Sequence, residues 1–387
     1  MPRTILHLDL DAFFCAVEEI KDPSLRGKAF AVAGRPDQRG VVSSASYAAR
    51  TFGVHSAMPT SRALRLCPGL LVISGRHHTY SEYSRRVMDQ LHNLSGLVEQ
   101  ISIDEAFVDI SDLREPAGET ARLLQQKVLA QVGLPCSIGV AGSKLVAKVA
   151  TEVGKKQKHG LGDYPFAITL VEPGTERKFL AGLPVAMLWG VGPKTEKRLN
   201  ELGLHTIGQL ADLGEETLGH LFGEMGRELA RHARGEDDRP LSTERVAKSV
   251  SAENTFSVDV SDDRTLDAML KKLSAEVGRG LRSDGLAGST IRLKLRWPDF
   301  TTLTRQSSLP SPTNLDLEIY HAAARLLQDV REKDQAVRLI GVGVTHLGPP
   351  VQQLGLFDQE SEKARRLQQA LDELQARYGR KIIERGK

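Results

Sequence analysis

Ile5-Leu6-His7-Leu8-Asp9-Leu10-Asp11 decides the reading of this chain. Its alternation makes a strand that sends Leu6, Leu8 and Leu10 to one face and His7, Asp9 and Asp11 to the other, so acids project together from an otherwise apolar run. Further on, Val98 to Val108 reads as two strands folding back on each other, with Asp104 and Glu105 at the bend. Carboxylates gathered in one place repel one another unless a hard cation sits between them, and Mg²⁺ is held through one or two carboxylates plus substrate phosphates. Phosphoryl transfer is the chemistry this predicts.

The composition is that of a folded, multidomain protein: 387 residues, 40% hydrophobic and 26% charged, enough for two to four cores. No apolar run approaches the roughly 18 to 20 residues of a membrane span, and a cytoplasmic protein is expected. Cys15, Cys67 and Cys136 lack any C-x-x-C partner, which argues for buried thiols rather than disulfides or zinc. With 52 basic and 49 acidic residues the net charge is only +3, so any nucleic-acid surface must be local.

Up to about residue 170, strand and helix patterns alternate. Helices are expected at 79–94, capped by Thr79, and at 119–132, with Leu123, Leu124 and Val128 on the apolar face. A strand at 137–140 feeds a helix at 143–152. Short glycine-broken helices follow to about 234, then a polar connection that includes Glu236-Asp237-Asp238-Arg239-Pro240. A second α/β unit has helices at 262–283 and 315–333 and strands at 289–296 and 340–345. The tail carries Gln353-Leu354-Gly355-Leu356-Phe357, then a charged helix with Leu367, Leu371, Leu374 and Tyr378 as an apolar stripe.

Several groups suit phosphate binding. Tyr47 and Arg50 stand one helical turn apart, and a guanidinium fork matches phosphate oxygens, although a lone Arg50 would more often be a solvated helix charge. Lys144, Lys148 and Lys155 share one helical stripe. Gly190 and Gly192 allow backbone N–H groups to approach a phosphate, with Lys194, Lys197 and Arg198 clustered just beyond. On 290–297, Ile291, Leu293, Leu295 and Trp297 form one face and Arg292, Lys294 and Arg296 the other, with few acids opposite; such a strand can track a phosphate backbone. The Gly139-to-Lys144 run is not a P-loop, because its glycine spacing is two residues short.

Asp9-Leu10-Asp11-Ala12-Phe13-Phe14, together with Ser102-Ile103-Asp104-Glu105-Ala106, resembles the palm signature of the Y-family translesion DNA polymerases of bacteria, and the similarity runs from residue 3 to the Gln353-to-Phe357 segment. The resemblance implies a multidomain α/β right-hand polymerase. Its parts would be a palm of mixed or antiparallel sheet at 1–10 and 78–169, fingers at 11–77, and a helical thumb with a helix-hairpin-helix at 170–234. A linker at 235–246, an α/β little finger at 247–347 and a tail at 348–387 would complete the chain.

It further implies that Asp9, Asp104 and Glu105 hold two Mg²⁺ ions, for which Mn²⁺ can substitute, helped by the Leu10 carbonyl, with Asp11 in support. Phe14 would be a steric gate against the 2′-hydroxyl, while Phe13 is read as core. Tyr47, Arg50 and Lys155 would meet the triphosphate. Here the chain departs from its relatives, because Lys155-Lys156-Gln157-Lys158-His159-Gly160 replaces their usual Lys-Pro-Asn-Gly and leaves Lys155, Lys156 and Lys158 open for that contact. Lys148, Gly190, Gly192, Lys194, Arg292, Lys294 and Arg296 would contact DNA, and Gln353, Leu354, Leu356 and Phe357 a sliding clamp. The implied enzyme is a monomer that extends a primer on damaged or intact templates, with low fidelity and no proofreading. A nucleotidyl cyclase would not need the DNA-gripping segments, and a degenerate accessory subunit would not need all three acids.

Overall fold

The computed structural model describes residues 3–156, 161–244, 246–350 and 359–379. It divides into two compact units, Met1–Pro36 with Gly40–Arg245 and Asp37–Arg39 with Val246–Lys387. In the first, β1 (Ile5–Leu10) leads into α1 (Phe13–Lys21), followed by β2 (Phe30–Ala33), β3 (Val42–Ala45), α2 (Tyr47–Arg50), α3 (Thr60–Leu66) and β4 (Leu71–Ile73). Then come α4 (His77–His92), β5 (Val98–Gln100), β6 (Glu105–Asp109), α5 (Ala117–Val132), β7 (Cys136–Ala141), α6 (Lys144–Lys156) and β8 (Ile168–Leu170). Four more helices complete the unit: α7 (Glu176–Ala181), α8 (Pro193–Glu201), α9 (Ile207–Phe222) and α10 (Glu224–Ala233).

The central sheet has the order β5-β6-β1-β7-β8, with β1 antiparallel to both neighbours and β7 parallel to β8. Alternation along β1 divides its side chains between two cores. Leu6, Leu8 and Leu10 pack with residues of α4 and α5, whereas Ile5 packs with those of α6 and the helices beyond it. Each leucine so buried contributes on the order of 2 kcal/mol. The helix α6 lies hard against the sheet because Gly139 has no side chain; a Cβ there would stand 2.1 Å from the Ala147 carbonyl oxygen and 2.6 Å from the Thr151 nitrogen. Strands β2, β3 and β4 form a separate three-stranded sheet of order β3-β2-β4.

Two local expectations are corrected. The helix placed at 79–94 spans His77–His92 with Arg76 at its N-cap and no side-chain cap, because Tyr80 is drawn into its first turn by complete burial against Phe13 and Phe14. Leu123 is 53% exposed. Helix α5 turns instead on Thr120, Ala121, Leu124, Gln125 and Val128, since the Gln125 amide donates to the Cys136 carbonyl (2.8 Å). The polar connection after α10 is strapped down. Asp237 accepts the Leu145 N–H (3.0 Å), Lys144 donates to the Pro240 carbonyl (3.0 Å), and the Ser242 N–H reaches Glu99 (2.9 Å).

The second unit comprises β9 (Ser249–Val260), α11 (Asp263–Ser283), β10 (Ala287–Arg296), β11 (Thr302–Thr313), α12 (Asp316–Val330), β12 (Val337–Gly348) and α13 (Gln359–Tyr378). Its sheet is wholly antiparallel, of order β11-β10-β12-β9, with α11 and α12 supplying the apolar cover. The expected stripe on α13 is not its packing face, because Leu367, Leu374 and Tyr378 are 55%, 40% and 56% exposed. The helix is rotated by Arg282, whose guanidinium binds both carboxylate oxygens of Asp372 (2.5 and 3.0 Å) and also Asp316 (2.8 Å). All three cysteines are buried and unpaired. Among the described residues no helix is long and apolar enough to cross a membrane.

Candidate active site

The antiparallel register of β1 and β6 sets Asp9 directly opposite Glu105. Ser102 builds the turn that delivers the second acid pair. Its hydroxyl oxygen accepts the N–H groups of Asp104 (3.2 Å) and Glu105 (3.0 Å), and the hydroxyl donates to Asp104 Oδ1 (2.5 Å). The Leu10 N–H closes onto the Asp104 carbonyl (3.0 Å). Carboxylate oxygens of Asp9, Glu105 and Glu152 all lie within 4.8 Å of one another. Glu152 was not singled out in the sequence; its signal was its place on α6, one turn after Lys148 and one before Lys155.

Asp11 serves the scaffold. Its carboxylate accepts the Ser137 hydroxyl (2.9 Å) and the Phe166 N–H (3.0 Å), tying the chain after β1 to β7 and to the approach to β8.

The lysine stripe of α6 meets one acid per rung. Lys144 pairs with Glu99 (2.8 Å), Lys148 with Glu105 (2.7 Å) and Lys155 with Asp9. Burial pushes the Asp9 carboxyl up, Lys155 pulls it back, and Glu105 and Asp104 push it up again, with a net rise. Burial disfavours the Lys155 ammonium, yet Asp9 and Glu152 outweigh that and hold it charged. The cluster thus gathers carboxylates in a buried setting that the Lys148 and Lys155 ammoniums only partly offset. Its donors are hard oxygens, the set that suits Mg²⁺ or Mn²⁺. Beneath it, His7 is wholly buried, with Nδ1 2.8 Å from Thr151 Oγ1; burial first, then Lys148 and Lys155, lower its pKa and keep it neutral.

Asp9, Leu10, Phe14, Arg50, Asp104 and Lys155 line one cleft of about 230 Å³, whose wall also includes Ser43, Ser44 and Ser56. Phe13 is 3% exposed and belongs to the core, although it borders the cleft. Phe14 is stacked on Tyr80 at 4.2 Å and 14°, and the Tyr80 hydroxyl donates to the buried Glu18 (2.6 Å). On α2 the Arg50 guanidinium lies 4.5 Å from the Tyr47 ring centroid and donates to the Ala45 carbonyl (3.1 Å). Among the lysines left open, Lys155 faces the cleft and Lys156 turns to Met187, while Lys158 lies outside the described residues.

Elsewhere the candidates separate. Gly190 has a φ of 101°, Gly192 is the N-cap of α8, and Lys194 is exposed. The expected cluster beyond them is smaller than its sequence suggests, since Lys197 pairs with Glu201 (3.8 Å) and Arg198 donates to the Leu221 carbonyl (2.6 Å). On β10, Ile291, Leu293 and Leu295 are buried while Arg292, Lys294 and Arg296 emerge on the other face. That face is not free of acids, because Glu253 on β9 pairs with Lys294 (2.6 Å); Arg292 reaches Gln306 (3.4 Å) and Arg296 reaches Thr302 (2.9 Å). Gln353, Leu354, Leu356 and Phe357 lie outside the described residues.

Residues 8–152 match the model of the impB/mucB/samB family, 173–204 that of the IMS family HHH motif, and 247–356 that of the impB/mucB/samB family C-terminal domain. A DNA polymerase IV of Dehalococcoides mccartyi is 37% identical over 100% of this chain and 97% of its own. One of Streptomyces coelicolor is 44% identical over 90% of this chain and 72% of its own. Among solved structures, a Y-family DNA polymerase chimera, Dbh-Dpo4(243-245)-Dbh, superposes with a TM-score of 0.78 over 89% of this chain and 99% of its own, at 24% identity. An insertion ternary complex of Dbh DNA polymerase gives 0.62 over 88% and 98%, at 25% identity.

Fold, acid cluster and relatives together define a DNA-directed DNA polymerase of right-hand architecture, with palm, fingers, a helix-hairpin-helix thumb and a little finger. The chain belongs to the impB/mucB/samB family, the Y-family translesion polymerases.

Proposed function

We propose that the enzyme performs template-directed, error-prone translesion synthesis by two-metal-ion nucleotidyl transfer, without proofreading, as part of DNA damage tolerance and repair in the cytoplasm. The observation that carries this reading is the register of Asp9 against Glu105, with Asp104 and Lys155 lining the same cleft. Asp9, Asp104 and Glu105, with the Leu10 carbonyl, would hold the two ions, Glu105 on the side of the primer 3′-hydroxyl and Leu10 on the side of the nucleotide. Divalent ions bound there would supply the charge that stabilises the attacking and the leaving oxygen of an in-line displacement. Tyr47, Arg50 and Lys155 orient the triphosphate, so the 3′-hydroxyl meets the α-phosphorus and pyrophosphate leaves. Phe14 closes the space a 2′-hydroxyl would need. Small residues at 43, 44 and 56 leave room over the nascent pair, which favours acceptance of damaged templates.

Residues 1–10 and 78–169 act as palm, 11–77 as fingers, 170–234 as thumb, 235–246 as linker, 247–347 as little finger and 348–387 as tail. DNA is gripped along its backbone by Lys148, by the glycine turn at Gly190 and Gly192 with Lys194, and by Arg292, Lys294 and Arg296, so binding falls as salt rises. Lys148 also orients Glu105. The enzyme works as a monomer, and Gln353, Leu354, Leu356 and Phe357 tether it to a sliding clamp, which raises its effective concentration at the primer end. Primer extension with Mg²⁺ and four deoxynucleotides on intact and lesion-bearing templates tests the reading. Synthesis past a lesion is expected, and extension that always stops at the lesion would refute the translesion role.

A further inference from the structure

We infer that Tyr164 is a positioning residue for the incoming nucleotide, acting through Tyr47; the inference rests on the proposed role of Tyr47 at the triphosphate.

Tyr164 lies four residues past Gly160, on the described stretch where the chain approaches β8. Hydrogen bonds hold the chain at Phe166 and Ala167 against β7 and Asp11. The Phe166 N–H donates to Asp11 Oδ2 (3.0 Å), the Ala167 N–H to the Ser137 hydroxyl oxygen (3.2 Å), and the Ile138 N–H to the Ala167 carbonyl (2.8 Å). Phe166 itself is held at a φ of 46°, a left-handed conformation that bulky side chains rarely adopt. Such a backbone persists only where its surroundings over-determine it. Two residues earlier, Tyr164 meets Glu19 of α1 and Tyr47 of α2.

The Tyr164 ring meets the Tyr47 ring at 5.6 Å between centroids and 77° between planes, an edge-to-face pair. Its hydroxyl is bonded to the carboxylate of Glu19 on α1, and burial together with Glu19 pushes that phenol far up, so it remains a donor. Tyr47 is therefore held by two partners, Arg50 and Tyr164. Behind Tyr164 lies a cavity of about 450 Å³ bordered by Glu19, Ile20, Arg26, Leu129 and Pro135. The ring also packs on the edge of the main core, and Glu19 and Tyr47 are the polar and aromatic partners that orient it there. Removing it takes away a wall of Tyr47 and only a partly buried edge of the core.

The test is single-nucleotide insertion kinetics on Tyr164→Ala, Tyr164→Phe, Tyr47→Phe and the double variant Tyr47→Phe/Tyr164→Ala. Tyr164→Ala is expected to raise the KM for deoxynucleotide about two- to tenfold, the span of ring-pair energies, with a smaller change in kcat and unchanged affinity for primer-template. Tyr164→Phe, which keeps the ring, should recover most of that loss. In the Tyr47→Phe background, Tyr164→Ala should add nothing. If Tyr164→Ala does not fold, Tyr164→Leu fills the space without an aromatic face and carries the same expectation. A wild-type KM in these variants, or an equal effect with and without the Tyr47 hydroxyl, overturns the inference. A wild-type KM in Tyr47→Phe itself refutes instead the assignment of Tyr47 to the triphosphate.

Discussion

Lys148 Nζ stands 2.7 Å from Glu105 Oε2, and on the same helix Lys155 closes onto Asp9. Two ammonium groups therefore neutralise two of the acids that the proposed mechanism gives to divalent ions. On the proposed mechanism, a cation entering the cluster would take over that work and free Lys155 for the triphosphate.

Replacing Lys155 by Met leaves Asp9, whose side chain is 8% exposed, without its partner. Breaking a buried pair costs up to about 3–5 kcal/mol, less what is recovered as Asp9, whose carboxyl burial already raises, takes up a proton. Melting of Lys155→Met in EDTA should fall by several degrees, and Mg²⁺ should restore far more of it than it adds to the wild type. Equal Mg²⁺ shifts in the two proteins would count against the exchange of lysine for metal.

Phe14 reaches the cleft with its ring face supported by Tyr80 at 4.2 Å. Phe14→Ala should raise ribonucleotide incorporation strongly, and Tyr80→Ala should raise it less, by loosening the ring rather than deleting it. Sugar discrimination measured by primer extension checks both, and an unchanged ratio for Phe14→Ala would remove the gate.

At Gly139 the backbones of β7 and α6 come too close to admit a side chain. Gly139→Ala must push the helix away or strain the strand, at about 1–3 kcal/mol. Because α6 carries Lys148 and Lys155, nucleotide affinity should drop along with stability. Thermal melting and the KM for deoxynucleotide, measured together, test the link.

Much of this site was legible in the sequence because strand alternation leaves little choice. Once β1 is a central strand, Asp9 must point opposite to Leu8 and Leu10, and the stripe at Lys144, Lys148 and Lys155 must face one way. Strands β9 and β11 were not foreseen, since both lie at sheet edges and mix polar residues with few buried apolar ones. Glu152 and Tyr80 escaped for a related reason. A charge on a helix and an aromatic near a helix start acquire meaning only from what the fold sets beside them. The docking of the polar connection through Asp237 was equally hidden, because one buried acid in a charged run has no pattern.

Burial alone would raise the Asp237 carboxyl, but the Arg239 guanidinium and the Leu145 N–H more than offset it and hold it below the usual carboxylate range. A carboxyl depressed in the folded state stabilises the fold above its unfolded pKa of roughly 3.9, and that contribution is lost as pH falls through the lower folded value. Asp237→Asn should therefore cost about 1–3 kcal/mol at neutral pH, with the gap to wild type narrowing toward pH 3. Denaturant unfolding across that range checks the sign, and a gap that widens with acid would contradict it.

The most direct measurement of the central claim is primer extension by Asp9→Asn, Asp104→Ala and Glu105→Ala alongside their affinity for primer-template. Each variant should bind DNA close to wild type and fail to extend the primer at any Mg²⁺ or Mn²⁺ concentration. Extension at a rate comparable to wild type by any of the three would contradict the assignment of that acid to the metals.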